Sequence, residues 1–283
     1  MNVMREKTVL VTGATDGIGK ESARRLAEMG ARVLAVGRNA EKGAACVDEL
    51  QAVTGSNDIE FLRADLSVQA EVRQLAATVK DRVDRLDVLL NNAGVLMFRR
   101  EETRDGIEMT FGLNHLSYFL LTHELLDLLK ASGPSRVVNV ASIAHRRARL
   151  DFDDLELKTG FRAMKAYSRS KLANVMFTYA LSRRLAGSGV TANCLHPGFV
   201  RTHFGQNNGF FARMGVSLAM RFGNAISVAQ GAQTSIFLAS APEVAEQSGF
   251  YFDDCKAVKS NQASYDEIAQ ERLWDISATM VGL

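Results

Sequence analysis

The sequence predicts an α/β protein in which a seven-stranded, mainly parallel sheet carries helices on both faces. Short apolar runs alternate along the chain with longer amphipathic segments of helical period. Strands that are apolar on both faces and separated by helices are typical of a parallel sheet buried between two helical layers. The chain has 283 residues, 47% of them hydrophobic and 23% charged, so it can bury such a core. It shows no linker and no internal repeat, and we therefore expect one domain over residues 1–283.

The strands and helices follow one another in a regular order. Most of the apolar runs are followed by a turn and then by a segment of helical period. The predicted strands cover residues 8–11, 32–36, 59–62, 86–90, 136–141, 190–195 and 249–252. The predicted helices cover the segment that ends at Met29 before Gly30, and residues 41–53, 71–83, 103–131 and 161–186. Open parallel sheets bind ligands at the carboxyl edge of their strands, so we expect the functional residues in the turns that follow the strands.

Composition and charge argue against several classes of function. The formal charge of +2 is spread along the chain without a basic stripe, so nucleic acid is not an expected partner. The five histidines lack metal-ligand spacing, and no metal is expected. Cys46, Cys194 and Cys255 are isolated, which is typical of a reducing compartment. Residues 1–7 are polar and no apolar stretch suits a signal peptide or a transmembrane segment, so we expect a soluble, cytoplasmic protein.

A glycine-rich turn at residues 12–19 follows the first strand and opens the first helix. Glycines permit a tight turn and a close approach of the backbone, and the helix N-terminus offers N–H groups to a pyrophosphate. An ordinary tight turn is the alternative, but the position between strand and helix favours a dinucleotide site. The expected contacts are Gly13, Thr15, Asp16, Gly17, Ile18 and Gly19.

The end of the second strand predicts which dinucleotide is bound. An acidic residue there would bond a ribose 2′-hydroxyl, whereas an arginine accommodates a 2′-phosphate. Here Arg38 and Asn39 follow the strand, with Lys42 nearby. The planar fork of donors on Arg38 suits a phosphate. We therefore expect NADP(H) in preference to NAD(H), although Arg38 could be a plain surface residue and Asp16 would repel a phosphate placed beside it.

Two further turns supply candidate cofactor contacts. Asp65 and Leu66, after the third strand, would place a carboxylate by the adenine amino group, unless Asp65 only caps the next helix. Asn92, Ala93 and Gly94, after the fourth strand, offer small residues and an amide where a ribose would pass, unless they form a plain turn. Both turns fall at the edge of the sheet where the ligand is expected.

Tyr167 and Lys171 lie four residues apart on a predicted helix and therefore on one face of it. A free phenol titrates near ~10 and a free ammonium near ~10.4, so such a pair by itself is ordinary solvated surface. It becomes catalytic if a cationic cofactor lies beside it, because positive charge favours the phenolate and lowers the pKa of the tyrosine. The glycine-rich turn at residues 12–19 favours the catalytic interpretation.

Taken together, these motifs resemble the short-chain dehydrogenase/reductase family of the classical type. The shared patterns are T-G-x-x-x-G-x-G at residues 12–19, N-N-A-G at 91–94, a strand-end serine at Ser142, Y-x-x-x-K at 167–171 and P-G at 197–198. The similarity extends from Lys7 to at least Tyr251 and implies a single Rossmann-type doubly wound domain. Within the family, residues 38–39, 111–116 and 273–283 look most like the retinol dehydrogenase and WW-domain oxidoreductase branch.

The resemblance implies a role for each residue of a catalytic set. Tyr167 would protonate a carbonyl oxygen while hydride reaches the carbon, and would act as the base in the reverse direction. Lys171 would hold the ribose hydroxyls and, with the nicotinamide cation, lower the Tyr167 pKa. Ser142 would donate a hydrogen bond to the substrate oxygen. Asn114 would hold a water that relays protons from Lys171, unless it is only a satisfied polar residue in a helix. The residues expected at the nicotinamide end are Pro197, Gly198, Val200 and Thr202.

The segment after Gly198 predicts the substrate class. Residues 199–226 carry several phenylalanines and methionines among glycines, as a lid over an apolar pocket would. Phe199 and Phe204 are the expected substrate contacts, and we predict a lipophilic aldehyde or ketone, retinal-like or similar. Alternatively, the segment covers the protein's own core, a subunit contact or a membrane surface.

The arginine-rich run at residues 145–149 would receive an anionic substrate group, unless it is a solvated face.

Two other functions share part of this pattern. A redox-sensing protein would keep the dinucleotide fold but typically lacks the tyrosine or the lysine, and both are present here. A light-driven tetrapyrrole reductase would carry a cysteine shortly after Y-x-x-x-K, where this chain has Ala173.

The resemblance also implies a homodimer or homotetramer paired through the predicted helices at 103–131 and 161–186, with exceptions in the lipophilic branch.

Overall fold

A mainly parallel sheet of eight strands runs through the centre of the protein. The computed structural model describes residues 3–200 and 226–283. The strands are β1 (Thr8–Thr12), β2 (Arg32–Gly37), β3 (Ile59–Arg63), β4 (Val88–Asn91), β5 (Ser135–Val140), β6 (Val190–His196), β7 (Tyr251–Asp253) and β8 (Lys256–Val258). They are ordered β3-β2-β1-β4-β5-β6-β7-β8, and every neighbouring pair is parallel except β7 and β8. The predicted α/β class and mainly parallel sheet are therefore confirmed.

The eighth strand is absent from the sequence prediction, so the predicted count of seven strands is too low by one. β8 pairs antiparallel with β7, and Tyr251 lies opposite Val258. Asp254 and Cys255 form the turn between them with positive φ angles of 48° and 59°. All three residues of β8 are exposed. The strand therefore lacks the buried apolar run that identifies the inner strands in the sequence.

Helices cover both faces of the sheet. They are α1 (Gly17–Glu28), α2 (Ala40–Thr54), α3 (Gln69–Arg82), α4 (Met109–Phe111), α5 (Ser117–Glu124), α6 (Leu126–Ala131), α7 (Ala163–Arg184), α8 (Val228–Ser240) and α9 (Glu267–Val281). One hydrophobic core joins the sheet to α1, α2 and α8, and the other joins it to α3, α5, α7 and α9. In β1, Val9 and Val11 belong to the first core and Leu10 to the second. Because side chains alternate along a strand, a sheet covered on both sides requires apolar residues throughout.

The longest predicted helix, over residues 103–131, is interrupted in the structure. It begins at α4, where the Glu108 carboxylate accepts hydrogen bonds from the backbone N–H groups of Thr110 (2.8 Å) and Phe111 (2.7 Å). A π-helical turn, Gly112–Leu116, follows α4 and leads into α5. Such turns are rare and are frequent at functional sites. This one carries Asn114.

The other predicted helices and strands begin and end within two residues of their observed bounds. The sequence prediction missed α8 and α9. At the start of α8, the Ser227 side chain accepts from the Gln230 N–H and the Gln230 side chain accepts from the Ser227 N–H. This reciprocal pair is a capping box and marks the start of a helix. The signal for α8 was therefore present in the sequence.

Helix α9 covers the outer face of α5 and α7. The indole of Trp274 packs against Phe119 and Phe177, with ring centroids 4.9 and 5.8 Å apart. The guanidinium of Arg184 lies 3.9 Å from the centre of the indole. Every residue of α7 from 169 to 181 is buried. A helix buried all round must be covered on each face, and α9 provides the outer cover.

Most of the predicted apolar lid, residues 199–226, lies outside the described residues, as do Thr202 and Phe204. At its two ends, Val200 and Ile226 form a parallel β-bridge, and the Ile226 N–H donates to the Phe199 carbonyl at 2.8 Å. Among the helices of residues 3–200 and 226–283, none is both long enough and apolar enough to span a membrane.

Candidate active site

Six of the predicted motifs meet at one edge of the sheet. Strands β1 to β6 are parallel, so the turns that follow them lie at the same edge. The first candidate residues in these turns are Gly13, Arg38, Asp65, Asn92, Ser142 and Pro197, in the order of the strands. β1 and β4 are neighbours although β2 and β3 lie between them in sequence. A reversal of strand order of this kind leaves a crevice in which open α/β sheets bind ligands.

The turn between β1 and α1 allows a ligand to approach its backbone closely. Gly13 has a φ of 65°, a left-handed conformation that favours glycine. A Cβ atom added at Gly19 would lie 2.3 Å from the Gly13 carbonyl oxygen and 2.4 Å from the side-chain nitrogen of Asn92. Asp16 caps α1 by accepting a hydrogen bond from the Gly17 N–H at 2.8 Å. A tight glycine turn at a helix N-terminus fits a pyrophosphate.

The half-buried residues Thr15 and Ile18 complete this turn. A Cβ atom added at Gly37, the last residue of β2, would lie 2.6 Å from the Thr15 methyl group. The end of β2 therefore packs directly on the glycine-rich turn, which brings Arg38 close to it.

Thr12 and Asn92 join the end of β1 to the end of β4. The buried Thr12 hydroxyl accepts hydrogen bonds from the N–H groups of Asn92 (2.8 Å) and Ala93 (3.0 Å). The Asn92 side-chain amide donates to the Thr12 carbonyl at 2.8 Å. A Cβ atom added at Gly94 would lie 3.6 Å from the Lys171 ammonium. Asn92 thus holds the two ligand-facing turns together, and the exposed Gly94 lies directly over the buried Lys171 ammonium.

Arg38 and Asn39 are exposed at the end of β2. The side chain of Asn39 caps α2 by accepting a hydrogen bond from the Lys42 N–H at 2.8 Å. The Lys42 ammonium lies 2.7 Å from a carboxylate oxygen of Asp16. The repulsion expected between Asp16 and a 2′-phosphate is therefore offset by the charge of Lys42.

Asp65 and Leu66 form the turn after β3. The Asp65 carboxylate accepts hydrogen bonds from the backbone N–H (3.0 Å) and the hydroxyl (2.7 Å) of Ser67. Leu66 is buried. Val68, not Asp65, occupies the N-cap position of α3. Asp65 therefore stabilises its own turn, and its contact with an adenine amino group stays a prediction.

Tyr167 lies near the start of α7, and its phenol is hydrogen-bonded to the side chain of Ser142. Burial raises the pKa of Tyr167 to about 12, and the hydrogen bond to Ser142 acts in the opposite direction. Ser142 follows β5 in an extended conformation, and its hydroxyl accepts the Ala144 N–H at 3.2 Å. The phenol is therefore protonated at neutral pH and lies beside a serine that orients it.

Lys171 lies one turn further along α7. Its ammonium donates to the Val140 carbonyl at 2.9 Å and lies 5.7 Å from the ring centres of Tyr118 and Tyr167. Burial lowers the pKa of Lys171 to about 7. Burial thus disfavours both the phenolate and the ammonium. The expected lowering of the Tyr167 pKa consequently does not arise in the chain by itself and would need the positive charge of a bound ligand.

Asn114 is buried in the π-helical turn, and its side chain holds the backbone of Val95. The amide oxygen accepts the Val95 N–H at 2.7 Å, and the amide nitrogen donates to the Val95 carbonyl (2.9 Å) and the Ser170 hydroxyl (3.0 Å). The backbone carbonyl of Asn114 accepts from the side chain of Asn174 at 2.9 Å. Both amide hydrogens of the side chain are therefore used within the protein. The side-chain oxygen and the backbone carbonyl each accept one of these hydrogen bonds and keep a second lone pair to which the predicted water could bind.

The turn after β6 contains Pro197, Gly198, Phe199 and Val200. Gly198 has a φ of 85°, and a Cβ atom there would lie 2.5 Å from the Ile226 side chain. Val200 is buried, whereas Phe199 is 53% exposed. The turn therefore presents Phe199 to the surroundings and packs Val200 into the protein.

Four large apolar side chains are exposed in the turns and helix ends at this edge of the sheet. They are Phe98, Ile143, Met164 and Phe199, between 40% and 56% exposed. Ile143 adjoins Ser142 in sequence, and Met164 precedes Tyr167 by about one helical turn. Several exposed apolar groups on one part of a surface indicate a ligand or partner site.

The sequence analysis missed several residues that support this site. The Tyr118 hydroxyl donates to the Ala93 carbonyl at 2.8 Å. Buried His145 bonds the Ser142 carbonyl, and buried His196 accepts the N–H of the next residue, Ile143. Their positions just after β5 and at the end of β6 were the available signal, because polar residues at strand ends face the ligand edge. In the described ranges, His, Cys, Asp and Glu side chains form no group of three or more suited to a metal.

The arginine-rich run after Ser142 is a solvent-facing surface. It forms a short 3-10 helix, Ile143–Arg147, and Arg146, Arg147 and Arg149 are exposed. The Arg146 guanidinium donates to the Lys259 carbonyl at 3.1 Å. The exposure agrees with the solvated-face interpretation, and nothing in these contacts indicates a site for an anionic substrate group.

Comparison with known sequences gives one consistent family. The model of the short chain dehydrogenase family matches residues 7–209. Human retinol dehydrogenase 13 is 43% identical over 281 residues, which cover 98% of this chain and 85% of that protein. Human retinol dehydrogenase 14 is 41% identical over 301 residues, which cover 99% and 88%.

Solved structures with the same fold include proteins in complex with nucleotides. An uncharacterised protein from Mycobacterium paratuberculosis superposes with a TM-score of 0.80 at 30% identity, covering 99% of this chain and 94% of that one. The Pseudomonas aeruginosa RhlG/NADP active-site complex gives 0.71 at 30% identity, covering 88% and 94%. A short chain dehydrogenase from Escherichia coli CFT073, complexed with NADPH, gives 0.72 at 26% identity, covering 90% and 99%.

Proposed function

Since this protein belongs to the short chain dehydrogenase family and is an oxidoreductase, we propose that it interconverts a lipophilic carbonyl compound and its alcohol with NADP(H). The observation that carries the proposal is the hydrogen-bonded pair of Ser142 and Tyr167. This pair lies at the edge of the sheet that also bears the glycine-rich turn at residues 12–19. A proton donor beside a dinucleotide site is the arrangement that carbonyl reduction requires.

Tyr167 and Ser142 act on the substrate oxygen. Bound NADPH would supply the hydride, and the protein supplies the proton and orients the substrate. Tyr167 donates its phenolic proton to the carbonyl oxygen, while Ser142 donates a hydrogen bond to the same atom. The raised pKa of Tyr167 keeps this proton in place at neutral pH until the substrate oxygen receives it. In the oxidation direction Tyr167 must first lose the proton, and a neighbouring positive charge is needed for that.

Lys171 and Asn114 serve the cofactor side of the reaction. The buried ammonium of Lys171 lies behind Gly94 and can donate to ribose hydroxyls from there. The Asn114 side chain holds Val95 and so keeps the turn that contains Gly94 in place. We propose that the backbone carbonyl of Asn114 binds a water, which relays protons between Lys171 and solvent.

The preference for NADP(H) over NAD(H) is supported by charge. Arg38 is exposed at the end of β2, where a 2′-phosphate would lie. The ion pair between Lys42 and Asp16 removes the opposing negative charge from this place. Two of the structurally similar proteins are described as NADP or NADPH complexes.

The lipophilic substrate class is supported by the exposed apolar side chains of Phe98, Ile143, Met164 and Phe199. The relatives that are 43% and 41% identical to this chain are named retinol dehydrogenases, whose named substrate is a lipophilic alcohol. We therefore propose a retinoid or a similar long-chain carbonyl compound as the substrate, with Phe199 and Phe204 in contact with it.

The test is oxidation of NADPH and NADH with aldehydes from short to long chains and with retinal-like polyenes. We expect NADPH-dependent turnover that increases with chain length and falls at least about 10³-fold in Tyr167→Phe. The matched control is Tyr251→Phe, because the buried Tyr251 hydroxyl has no hydrogen-bond partner among the described residues. That variant should retain the wild-type rate.

Each other outcome points to a specific error. Nucleotide binding without turnover of any carbonyl compound would favour a redox-sensing protein. Turnover that depends on light would favour a tetrapyrrole reductase. Equal activity of Tyr167→Phe and wild type would remove Tyr167 as the proton donor, and a flat dependence on chain length would contradict the lipophilic substrate.

We propose the cytoplasm as the compartment, supported by the three free cysteines. Cys46 and Cys194 are buried, and Cys255 is partly exposed. Free thiols are typical of a reducing environment. Cell fractionation measures this directly, and recovery of the native protein in a membrane fraction would contradict it.

A further inference from the structure

Two buried histidines hold one peptide bond of the candidate site from both sides. His145 donates from Nδ1 to the Ser142 carbonyl oxygen at 2.6 Å. His196 accepts at its own Nδ1 the N–H of Ile143 at 3.1 Å. His145 is 0% exposed and His196 is 9% exposed. The carbonyl oxygen and the N–H of the peptide between Ser142 and Ile143 are thus both bonded to imidazoles.

The hydrogen-bond partners determine the protonation state of each ring. A carbonyl oxygen can only accept, so Nδ1 of His145 carries a proton. Its Nε2 accepts the backbone N–H of Asn261 at 3.1 Å and is therefore unprotonated. A backbone N–H can only donate, so Nδ1 of His196 is unprotonated as well. Both rings are neutral, with opposite tautomers.

The surroundings of His145 prevent its ring from turning away. The Asn261 side-chain amide donates to the carbonyls of His145 and Ala148, each at 2.9 Å. The Tyr251 ring lies 4.7 Å from the His145 ring, centre to centre. The segment around Asn261 therefore packs over His145 and keeps its ring next to the turn that contains Ser142.

The charged neighbours favour the neutral rings. Burial lowers the pKa of both histidines, and the positive charge of Arg146 acts in the same direction on each. The His196 imidazole also lowers the pKa of His145, whereas the hydrogen bond to the Ser142 carbonyl raises it. The Asp253 carboxylate acts in the opposite direction on His196.

We propose that His145 and His196 are positioning residues that hold Ser142 in place for the substrate oxygen, and that His196 does so only as a neutral imidazole. Protonation of His196 would set its Nδ1–H against the Ile143 N–H, so two donors would face each other and the peptide that carries Ser142 would be released. Protonation of His145 would set its Nε2–H against the Asn261 N–H, while its Nδ1–H would stay bonded to the Ser142 carbonyl. Carbonyl reduction would therefore fall at acid pH as His196 is protonated. The kinetic consequence rests on the proposed reductase function, whereas the structural part does not.

The first test needs no turnover. The chain contains only five histidines, so ¹⁵N-histidine NMR can follow each ring through a pH titration, with signals assigned from His145→Asn and His196→Asn. We expect the proton of His145 on Nδ1, that of His196 on Nε2, and both rings still neutral at a pH of ~6.5, where an ordinary imidazole is half protonated. The other tautomer, or protonation of either ring at or above that pH, would overturn the proposal.

The second test is the pH dependence of kcat and KM for NADPH-dependent reduction. His196→Leu removes the acceptor of the Ile143 N–H, and we expect kcat to fall about tenfold at pH 7.5, the equivalent of one hydrogen bond, while the Kd of NADPH changes little. His196→Asn can place an oxygen acceptor near the position of Nδ1 and does not titrate. We expect it to restore kcat and to retain more of its rate at pH 5.5 than the wild type does.

His123→Asn, on the exposed side of α5, is the matched control and should follow the wild-type pH profile. Wild-type kcat in His196→Leu, or an unchanged acid limb in His196→Asn, would overturn the positioning role. If the wild-type protein reduces no carbonyl compound at all, the proposed function fails, and the NMR result alone decides whether the two histidines hold Ser142 as neutral rings.

Discussion

At the scale of single residues, burial sets the charge states of the candidate site. It raises the pKa of Tyr167 and lowers that of Lys171, so both side chains are driven towards their neutral forms. A neutral phenol is a proton donor, as the proposed carbonyl reduction requires.

The exposed Arg38 gives a prediction on cofactor choice. In Arg38→Ala, we expect the Kd of NADPH to increase about 10- to 100-fold and that of NADH to stay nearly constant, because one charge-assisted interaction with the 2′-phosphate contributes about 1.5–3 kcal/mol. Fluorescence titration with both nucleotides measures this. Arg272→Ala, on α9 and remote from the β1–α1 turn, is the control. Equal weakening of NADPH and NADH would mean that Arg38 does not contact the 2′-phosphate.

At the scale of elements, the π-helical turn Gly112–Leu116 connects the site to the outer helices. Asn114 faces Val95 and Ser170, and the next residue, His115, reaches outward. Nδ1 of His115 lies 3.3 Å from the Asn174 amide oxygen on α7, and Nε2 lies 2.9 Å from the Ser277 hydroxyl on α9. His115 therefore links α7 and α9 to the turn that carries Asn114.

Buried His115 predicts a loss of stability in acid. Burial lowers its pKa to about 4 from an ordinary value of 6.5, so the unfolded chain takes up the proton first. The folded protein therefore has its full stability with respect to His115 above pH 6.5 and loses stability as the pH falls towards 4. Between pH 7 and pH 5 the free energy of unfolding should fall by about 2 kcal/mol more in the wild type than in His115→Gln.

Urea unfolding at the two pH values measures this difference. Exposed His123 is the control, and His123→Gln should keep the wild-type dependence on pH. An identical fall in stability for His115→Gln and the wild type would show that His115 does not stay neutral in the folded protein.

At the scale of the whole molecule, α9 occupies the surface through which a second copy was expected to pair. Residues 117–122 of α5 and 169–181 of α7 are all buried, and Trp274 covers Phe119 and Phe177. A second copy could reach these helices only by displacing α9. We therefore expect no dimer through this face, so any mass above 31.0 kDa in light scattering should arise from another surface and persist in variants of α9.

The same packing predicts the energetic contribution of α9. Trp274→Ala should lower the free energy of unfolding by about 3 kcal/mol, since it removes a partly buried indole. Ile268→Ala is the control on the same helix, because Ile268 is 84% exposed. A stable dimer that dissociates in Trp274→Ala would contradict the expectation and would place α9 in a subunit interface.

Several features of this protein followed from the sequence because they depend on local chemistry. The alternation of apolar runs and helical segments was sufficient for the α/β class and for most element bounds. The sequence predicted that five residues lie at one edge of the sheet, because each follows a parallel strand and parallel strands all end at that edge. They are Gly13, Arg38, Asn92, Ser142 and Pro197. The spacing of Tyr167 and Lys171 placed both on one helical face.

Other features depended on contacts between residues far apart in sequence, and only the tertiary structure decided them. β8 is an exposed edge strand, so its residues carry no apolar pattern. The covering of α7 by α9 joins residues about a hundred positions apart, as in the pair of Phe177 and Trp274. The direction of the Tyr167 and Lys171 pKa shifts depended on burial, which spacing does not reveal. The hydrogen bonds of His145 and His196 to the Ser142–Ile143 peptide likewise required the ends of β5 and β6 and the Asn261 segment to converge, and that convergence is a property of packing rather than of any local pattern.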